Sequence, residues 1–591
     1  MGKKEIAKIL YEISVLYELK GENFFKIRAY QMAARALEVS TIEINKETEI
    51  EDIKKINGIG SGIASQVKEL AETDRLKAYE EIKESIPAGL VEMLKIPGLG
   101  PRKIKYLYDT LTVCGPSELE YACHENKLLN LQGFGKKTQD NILHGIELLK
   151  KFRERFLYPD AVREAEILES NLRKLTNIRA VSIAGSLRRK KETVKDIDLV
   201  AAADTAEEAE NIMDFFICLP ETLEVIARGQ TKSSIRLKSG INADLRIVRT
   251  AQFPFALHHF TGSSEHNTAM RSYAKKHDIK INEYGLFKTG SDGNEKAVTG
   301  FEFKDEKDIF SFFNMQYIEP ELRENTGEIE AALERNLPDL IEEKDLKGVF
   351  HFHTNNSDGN FTIEQAAVKL KSMGYGYCGI ADHSKTARYA GGISNDGLKQ
   401  YFDEIEQVNE KIADFKIFIG IESEILPDGS LDYDDSILEK FDFVIIAVHS
   451  GFNMSSDKMT RRIVKAMQNR HSTFLAHPTG RLLLARDPYK VNIREIIDSA
   501  SEYDVDLEIN ASPFRLDLDW LNCKYARGKN VKFFICPDAH DLEGFYDCKY
   551  GIGVARKGWL EKRDVTNCMT KTEMEIYLTE KKIRKKKNSL N

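Results

Sequence analysis

From Ile6 to about Phe156, apolar positions recur three and four residues apart, with short breaks at Gly and Pro. That period predicts a nearly all-helical region. From about Leu157 helical stretches alternate with short β-rich runs, such as Ala180-Val181-Ser182-Ile183-Ala184 and Asp196-Ile197-Asp198-Leu199-Val200, so a domain of mixed α and β structure is expected. Residues 321–346 are charged, mostly acidic and poor in aromatics, as suits an interdomain connector. From Lys347 onward strand-like runs (Phe418-Ile419-Gly420-Ile421, Phe443 to Val448, Val531 to Ile535) are separated by helical stretches, the grammar of a β/α barrel. The chain ends in KKIRKKKNSLN, a basic tail expected to be solvated. The pattern divides the chain into an all-α domain (1–150), an α+β domain (155–320), the connector (321–346), a β/α barrel (347–575) and the tail (576–591).

The 591 residues leave room for several domains at roughly 100 to 200 residues each, which excludes a single small binding module. A composition of 42% hydrophobic and 30% charged residues is that of a globular protein. The net charge of −8 excludes a polycation that coats nucleic acid by charge alone, so any DNA contact has to be local. The eight cysteines include no CxxC pair, and a reduced, intracellular protein is expected. Residues 1–20 set apolar residues between Glu and Lys rather than in a signal peptide's continuous segment, and no apolar run approaches the ~20 residues that span a bilayer. A cytoplasmic chain without a membrane partner follows as the expectation.

Three breaks in the helical region are alike: Ile56-Asn57-Gly58-Ile59-Gly60, Ile96-Pro97-Gly98-Leu99-Gly100 and Leu131-Gln132-Gly133-Phe134-Gly135. Each follows one helix and opens another, and each resembles the helix-hairpin-helix motif. Glycine lets the backbone approach a ligand closely, while the next helix presents unpaired N–H groups to a phosphate oxygen. Such contacts position DNA without reading its sequence. Ordinary Gly-capped connections between packed helices are the simpler alternative. Three copies, two with a basic residue just downstream (Arg102 and Lys136), favour DNA.

In the α+β domain an apolar strand runs into Gly185-Ser186-Leu187-Arg188-Arg189, and ten residues after Ser186 comes Asp196-Ile197-Asp198. Strand alternation puts the two carboxylates on one face, ~7 Å apart, where they can share divalent ions. A later strand supplies Asp244. Three carboxylates around two Mg²⁺ or Mn²⁺ ions suit in-line nucleotidyl transfer, and the Gly-Ser turn offers backbone N–H and hydroxyl groups to a triphosphate. Residues 1–320 resemble the family X DNA polymerases. The resemblance implies that Asp196, Asp198 and Asp244 bind the catalytic metals, with Asp244 also orienting the primer 3′-hydroxyl. It implies that Gly185, Ser186 and Arg189 hold the triphosphate, and that Phe260 and Gly262 lie against the incoming sugar. Asn267 would touch the base edge, and Arg271 would face the template. His259 stands where the animal enzyme has a sugar-discriminating Tyr, so ribonucleotide exclusion is not carried over. Lys26 and Tyr30 match 5′-end-binding positions, but Gln66 occupies the Schiff-base position. An amide forms no imine with an abasic sugar, so lyase activity is not carried over either, although Lys68 lies nearby in sequence.

In the last domain the histidines fall in a series: His351-Phe352-His353, Asp382-His383, Val448-His449-Ser450, Ala476-His477-Pro478 and Asp538-Ala539-His540. Nearly all sit where an apolar strand-like run ends, and strand ends of a β/α barrel gather at its active face. With Asp358 and Glu422 the set comes to nine ligands, His351, His353, Asp358, His383, Glu422, His449, His477, Asp538 and His540, enough for two to three ions of Zn²⁺, Mn²⁺ or Fe²⁺. His471 has no such motif and reads as an ordinary residue. The order resembles a PHP (polymerase and histidinol phosphatase) phosphoesterase domain, which implies a distorted barrel and hydrolysis of a phosphodiester or phosphomonoester. Arg481 and Arg515 are candidate phosphate ligands.

The joint architecture is similar to bacterial and archaeal family X polymerases. It implies gap filling on gapped or nicked double-stranded DNA with deoxynucleoside triphosphates, coupled to 3′-5′ exonuclease, 3′-phosphoesterase or abasic-site endonuclease action, by a chain expected to be monomeric. Two alternatives stay open: a nucleotidyltransferase fused to a small-molecule phosphatase, against which the three DNA-type hairpins count, and a non-catalytic DNA-end scaffold, which would have lost carboxylates or ligands that are all present here.

Overall fold

The computed structural model describes residues 1–40, 42, 44–150, 154–289 and 295–588. Two compact units result, Met1–Leu149 and Lys150–Asn591. No described helix is long and apolar enough to cross a membrane.

The first unit is all-helical and has two cores. Ile6, Leu10, Ala33, Leu37, Ile53 and Val67 pack one; Leu90, Met93, Ile104, Leu107, Leu119 and Ile142 pack the other. Helix α1 spans Phe24–Val39, α2 Ser61–Thr73, α3 Pro101–Leu111 and α4 Lys136–Lys150. In α2 the buried residues Ala64, Val67, Leu70 and Ala71 form the apolar stripe read from the sequence. The three expected turns share one hydrogen bond: Ile59 N donates to Ile56 O, Leu99 N to Ile96 O and Phe134 N to Leu131 O, each at 3.1 Å. Gly58, Gly98 and Gly133 have φ of 102°, 79° and 87°, the left-handed region that glycine enters without strain. Gly60 and Gly100 then cap α2 and α3, and Gly135 leads into α4.

The second unit begins with a five-stranded sheet of β1 (Ala180–Ile183), β2 (Asp196–Ala202), β3 (Thr222–Arg228), β4 (Lys232–Leu237) and β5 (Asn242–Val248), in the order β1-β2-β5-β4-β3. Only β2 and β5 run parallel, with Asp198 opposite Asp244. Helices α5 (Phe253–Thr261) and α6 (Ser264–Lys275) lead to a small antiparallel sheet of β6 (Ile279–Asn282), β7 (Gly285–Thr289) and β8 (Glu295–Ala297).

The barrel consists of β9 (Gly348–Phe350), β10 (Tyr377–Ile380), β11 (Lys416–Glu424), β12 (Phe443–Ala447), β13 (Ser472–Leu475), β14 (Asp506–Asn510) and β15 (Phe533–Cys536), all parallel and in sequence order. Backbone bonds from His353 N to Ala539 O (2.9 Å) and from Asp538 N to His351 O (3.0 Å) join the chain beyond the last strand to the chain beyond the first. Seven strands, rather than eight, make the distorted barrel expected. Its interior is filled by Phe350, Tyr377, Phe418, Phe443, Phe474 and Phe534. Glycine admits this many rings: a Cβ on Gly379 or Gly420 would come within 2.1 Å of Phe350 or Phe443.

Two stretches depart from their polar appearance. The connector is anchored at its start by buried ion pairs, although most of its charges, such as Glu334, Arg335 and Lys344, stay exposed. Arg323 is 0% exposed and holds Glu306 at 2.5 Å, while Glu328 takes His266 Nδ1 at 2.8 Å. The basic tail lies largely in helix α8 (Lys571–Asn588), whose Met574 and Leu578 plug the barrel interior. Lys581 and Lys585 are buried with them while Arg584, Lys586 and Lys587 stay exposed, so the tail is only partly solvated; residues 589–591 lie outside the described residues.

Candidate active sites

The polymerase-type site forms where β2 and β5 run side by side. Asp196 and Asp198 alternate onto one face of β2, and the parallel register sets Asp244 beside Asp198. Burial, then the charges of Asp196 and Asp244, push the Asp198 carboxyl up to about 6, and burial with Asp244 raises Asp196. A divalent cation would relieve this excess of negative charge, so the residues fit one. Asp244 is also ion-paired with Lys232 Nζ at 2.6 Å, a partner that no motif announced.

Gly185 sits against these carboxylates with φ of 63°, and a Cβ there would lie 2.1 Å from Asp198 Oδ2. Only glycine lets the turn come this close. Of the two arginines that follow, Arg188 ties the turn to the end of α5, donating to Thr261 Oγ1 (2.7 Å) and Glu306 Oε2 (2.8 Å). Burial alone would raise Glu306, but Arg323 and Arg188 hold it well below the usual carboxylate range. Arg189 is buried, donates Nη1 to the Thr261 carbonyl and holds Glu324 Oε1 from Nε at 3.1 Å. His259 and Phe260 end α5, with the Arg246 guanidinium 4.5 Å over the Phe260 ring. Gly262 follows at φ of 70°, Asn267 Nδ2 donates to His259 O at 2.7 Å, and exposed Arg271 reaches Thr268. In the helical unit, Lys26 lies 4.0 Å over the Tyr17 ring, and Tyr30 donates to Gln66 Oε1 at 2.9 Å. Lys68 is engaged elsewhere, with Glu72 (3.0 Å) and Lys46 O (3.0 Å).

The histidine-rich site lies at the C-terminal ends of the barrel strands. His351 and His353 follow β9, His383 follows β10, Glu422 ends β11, His449 follows β12, His477 follows β13, and Asp538 and His540 follow β15. All nine predicted ligands come together. Glu422 is central: His383 Nδ1 is 2.9 Å away, His477 Nε2 3.1 Å, and His351 Nε2 and His449 Nε2 3.3 Å. Asp358 lies 3.5 Å from both His383 and His540, and Asp538 lies 3.1 Å from His353. Within the barrel domain, four groupings bring three or four donors within 4.8 Å of one another: His353-Asp358-His383-His540, His351-His353-Asp538, His351-Glu422-His477 and His383-Glu422-His449.

Burial and neighbouring positive groups push His353 and His477 down to about 3, while Asp358, Glu422 and Asp538 are held well below the usual carboxylate range by the histidines despite burial. Although charged neighbours stand close, His351 Nε2, His353 Nδ1 and Glu422 Oε2 are buried and make no well-aligned hydrogen bond. Such orphaned donors and acceptors are costly unless a cation takes them, so the site fits a divalent-metal centre. His351, His477 and Asp538 have φ of 54°, 28° and 54°, strain of the kind held at functional sites.

Two carboxylates behind the ligands were not among the candidates. Glu508 holds His351 Nδ1 at 2.5 Å, and Glu424 holds His449 Nδ1 at 2.9 Å, fixing the tautomers of those rings. No sequence signal singled them out: Glu508 sits in the alternating strand Asp-Leu-Glu-Ile-Asn, and Glu424 is the last residue of β11. Arg515 Nε lies 3.7 Å from Asp538, whereas Arg481 is turned away, bound to Glu192 at 2.7 Å and to the Arg515 carbonyl at 3.0 Å. Arg481 is therefore a strut to the polymerase domain and no phosphate ligand.

Fold and sites together define a two-centre enzyme class, a nucleotidyltransferase site joined to a metallophosphoesterase barrel. Family patterns match along the chain: a helix-hairpin-helix domain (residues 1–76), a SAM-like helix-hairpin-helix tandem (90–147), a DNA polymerase beta thumb (256–324) and a PHP domain (350–512). The chain belongs to the family X DNA polymerases that carry a C-terminal PHP domain. It is 39% identical to the DNA polymerase/3'-5' exonuclease PolX of Bacillus subtilis (strain 168) over 581 residues, 98% of this chain and 99% of that protein. It is 26% identical to the DNA polymerase type-X family protein pol4 of Schizosaccharomyces pombe, over 52% of this chain and 62% of that one. A probable phosphatase of Thermoanaerobacter sp. (strain X514) is 29% identical over 32% of this chain and 77% of its own length.

Proposed function

We propose that the chain extends DNA primers from deoxynucleoside triphosphates at Asp196, Asp198 and Asp244, and hydrolyses phosphoesters at DNA 3′ ends in the barrel site. The observation that carries the first half is the register pairing Asp198 with Asp244 beside the Gly185 turn. The nine convergent ligands carry the second.

Two Mg²⁺ or Mn²⁺ ions at the carboxylates would activate the primer hydroxyl and neutralise the departing pyrophosphate. Asp244 orients the 3′-hydroxyl, the Gly185-Ser186 turn and Arg189 hold the triphosphate, and Phe260 with Gly262 packs against the sugar. His259 and Asn267 face the nucleotide, while Arg271 faces the template strand. In the barrel, two to three ions of Zn²⁺, Mn²⁺ or Fe²⁺ would activate a water and polarise the phosphate. There the histidines keep their donor nitrogens directed inward, and Arg515 stands beside Asp538 to meet phosphate charge. The hairpin glycines Gly58, Gly60, Gly98, Gly100, Gly133 and Gly135, together with Lys26 and Tyr30, grip the backbone of short-gapped or nicked DNA. With Gln66 in the Schiff-base position, lyase activity is no part of this proposal.

A 5′-labelled primer in a short gap, with Mn²⁺ and four deoxynucleotides, tests both halves. The wild type lengthens the primer to near the end of the gap and, without nucleotides, shortens it. Asp198→Asn lengthens it about 10³-fold more slowly and still shortens it. Undiminished extension by that variant would remove the polymerase assignment from these carboxylates.

A further inference from the structure

The barrel domain reaches into the back of the nucleotide cradle. Glu324 receives three cations: Lys557 Nζ at 2.5 Å, Arg189 Nε at 3.1 Å and Lys191 Nζ at 3.3 Å. Lys557 is the last residue of α7 (Cys548–Lys557), is 1% exposed, and lies 4.9 Å over the Trp520 ring. It also donates to the carbonyl oxygen of Arg189 at 3.2 Å and of Glu321 at 3.4 Å. One barrel residue thus holds both the backbone of Arg189 and the carboxylate that its guanidinium grips. Neighbouring contacts repeat the arrangement: Glu321 binds Arg556 (2.7 Å) and Lys190 (3.4 Å), and a Cβ on Gly553 of α7 would come 3.0 Å from the Lys190 side chain.

The charge balance gives this cluster a direction. A single carboxylate shared by three cations cannot neutralise Arg189, which keeps positive potential on the side facing the cradle. Without Lys557, Glu324 would be left to Arg189 and Lys191 alone, cancelling more of the charge that a triphosphate needs and freeing the carboxylate to move. We propose that Lys557, acting through Glu324, is a positioning residue of the polymerase site supplied by the barrel domain, one that keeps Arg189 aimed at the incoming triphosphate and incompletely neutralised. This rests on the reading of Arg189 as a triphosphate ligand.

The test is single-nucleotide addition by the full-length protein on gapped DNA, with KM for the nucleotide and kcat measured separately. Lys557→Met is expected to raise KM about tenfold with kcat within about twofold, and Lys557→Arg to restore most of the loss. Lys557→Met combined with Glu324→Gln shows no loss beyond that of Glu324→Gln alone, because Lys557 acts through that carboxylate. An unchanged KM in Lys557→Met, alongside a raised KM in Arg189→Ala, would overturn the proposal. So would multiplicative effects in the double variant, or a loss confined to kcat. If Arg189→Ala leaves KM unchanged, the cradle assignment fails and the positioning role falls with it.

Discussion

Glu508 is an ionisable side chain with no exposure, set between Leu507 and Ile509 on β14. Its oxygens accept from the His351 ring, 157 residues away in sequence, and from the backbone N–H of His477 at 2.6 Å. A buried carboxylate left unpaired would cost several kcal/mol, so its complete burial announces a partner. It does not announce which one. Glu508→Gln keeps the volume but removes the charge that fixes the His351 ring, and metal affinity at the barrel site is expected to fall by about 10- to 100-fold. Competition with a chelator of known affinity measures it, and an unchanged affinity would mean that the carboxylate only fills space.

At the scale of elements, the hairpin turns separate two uses of glycine. A Cβ on Gly100 meets nothing, and its backbone is extended, so Gly100→Ala should leave the thermal midpoint unchanged while weakening DNA binding several-fold in fluorescence anisotropy. Gly98, at φ of 79°, should instead cost about 1 kcal/mol of stability when changed to Ala. Equal losses of DNA affinity and stability in both variants would reduce the turns to simple helix caps. Helix α8 supplies a pH-dependent case. Burial, then the charge of Lys581, pushes the Lys585 ammonium down to about 7. An unfolded lysine holds its proton to about pH 10, so between pH 7 and 10 the unfolded chain binds more protons and stability rises with pH. Lys585→Met avoids that penalty but strands the carbonyls of Ser472 and Met467, for a net gain of about 2 kcal/mol at pH 7 that turns into a net loss by pH 10. Thermal denaturation at the two pH values checks the sign.

For the whole molecule, the two centres differ in donor chemistry, and this predicts how metal removal divides the activities. Carboxylate oxygens alone suit Mg²⁺, whereas the imidazole-rich barrel site does not. After exhaustive chelation and return of Mg²⁺ only, primer extension is expected to recover and 3′ shortening is not; Mn²⁺ restores both. Recovery of both with Mg²⁺ would mean that the barrel site works as a hard-cation site despite its histidines.

The strand alternation that aligned Asp196 with Asp198, and the histidines placed just after apolar runs, are local patterns, and a local pattern is readable because the period of the backbone imposes it. The chain by itself therefore determined its domain classes, the three glycine turns, and the candidate carboxylates and nine candidate barrel ligands. Tertiary structure decided which strand stands beside which, setting Asp244 opposite Asp198, and which ligands cluster around Glu422. It also decided the long-range charge pairs, Glu508 with His351, Arg481 with Glu192 and Lys557 with Glu324, which follow no sequence period. The same physics misled the reading of residues 321–346 and of the tail. Composition reports charge as solvated, but Arg323, Glu328, Lys581 and Lys585 are buried, and only the fold brings up the partners that make their burial affordable.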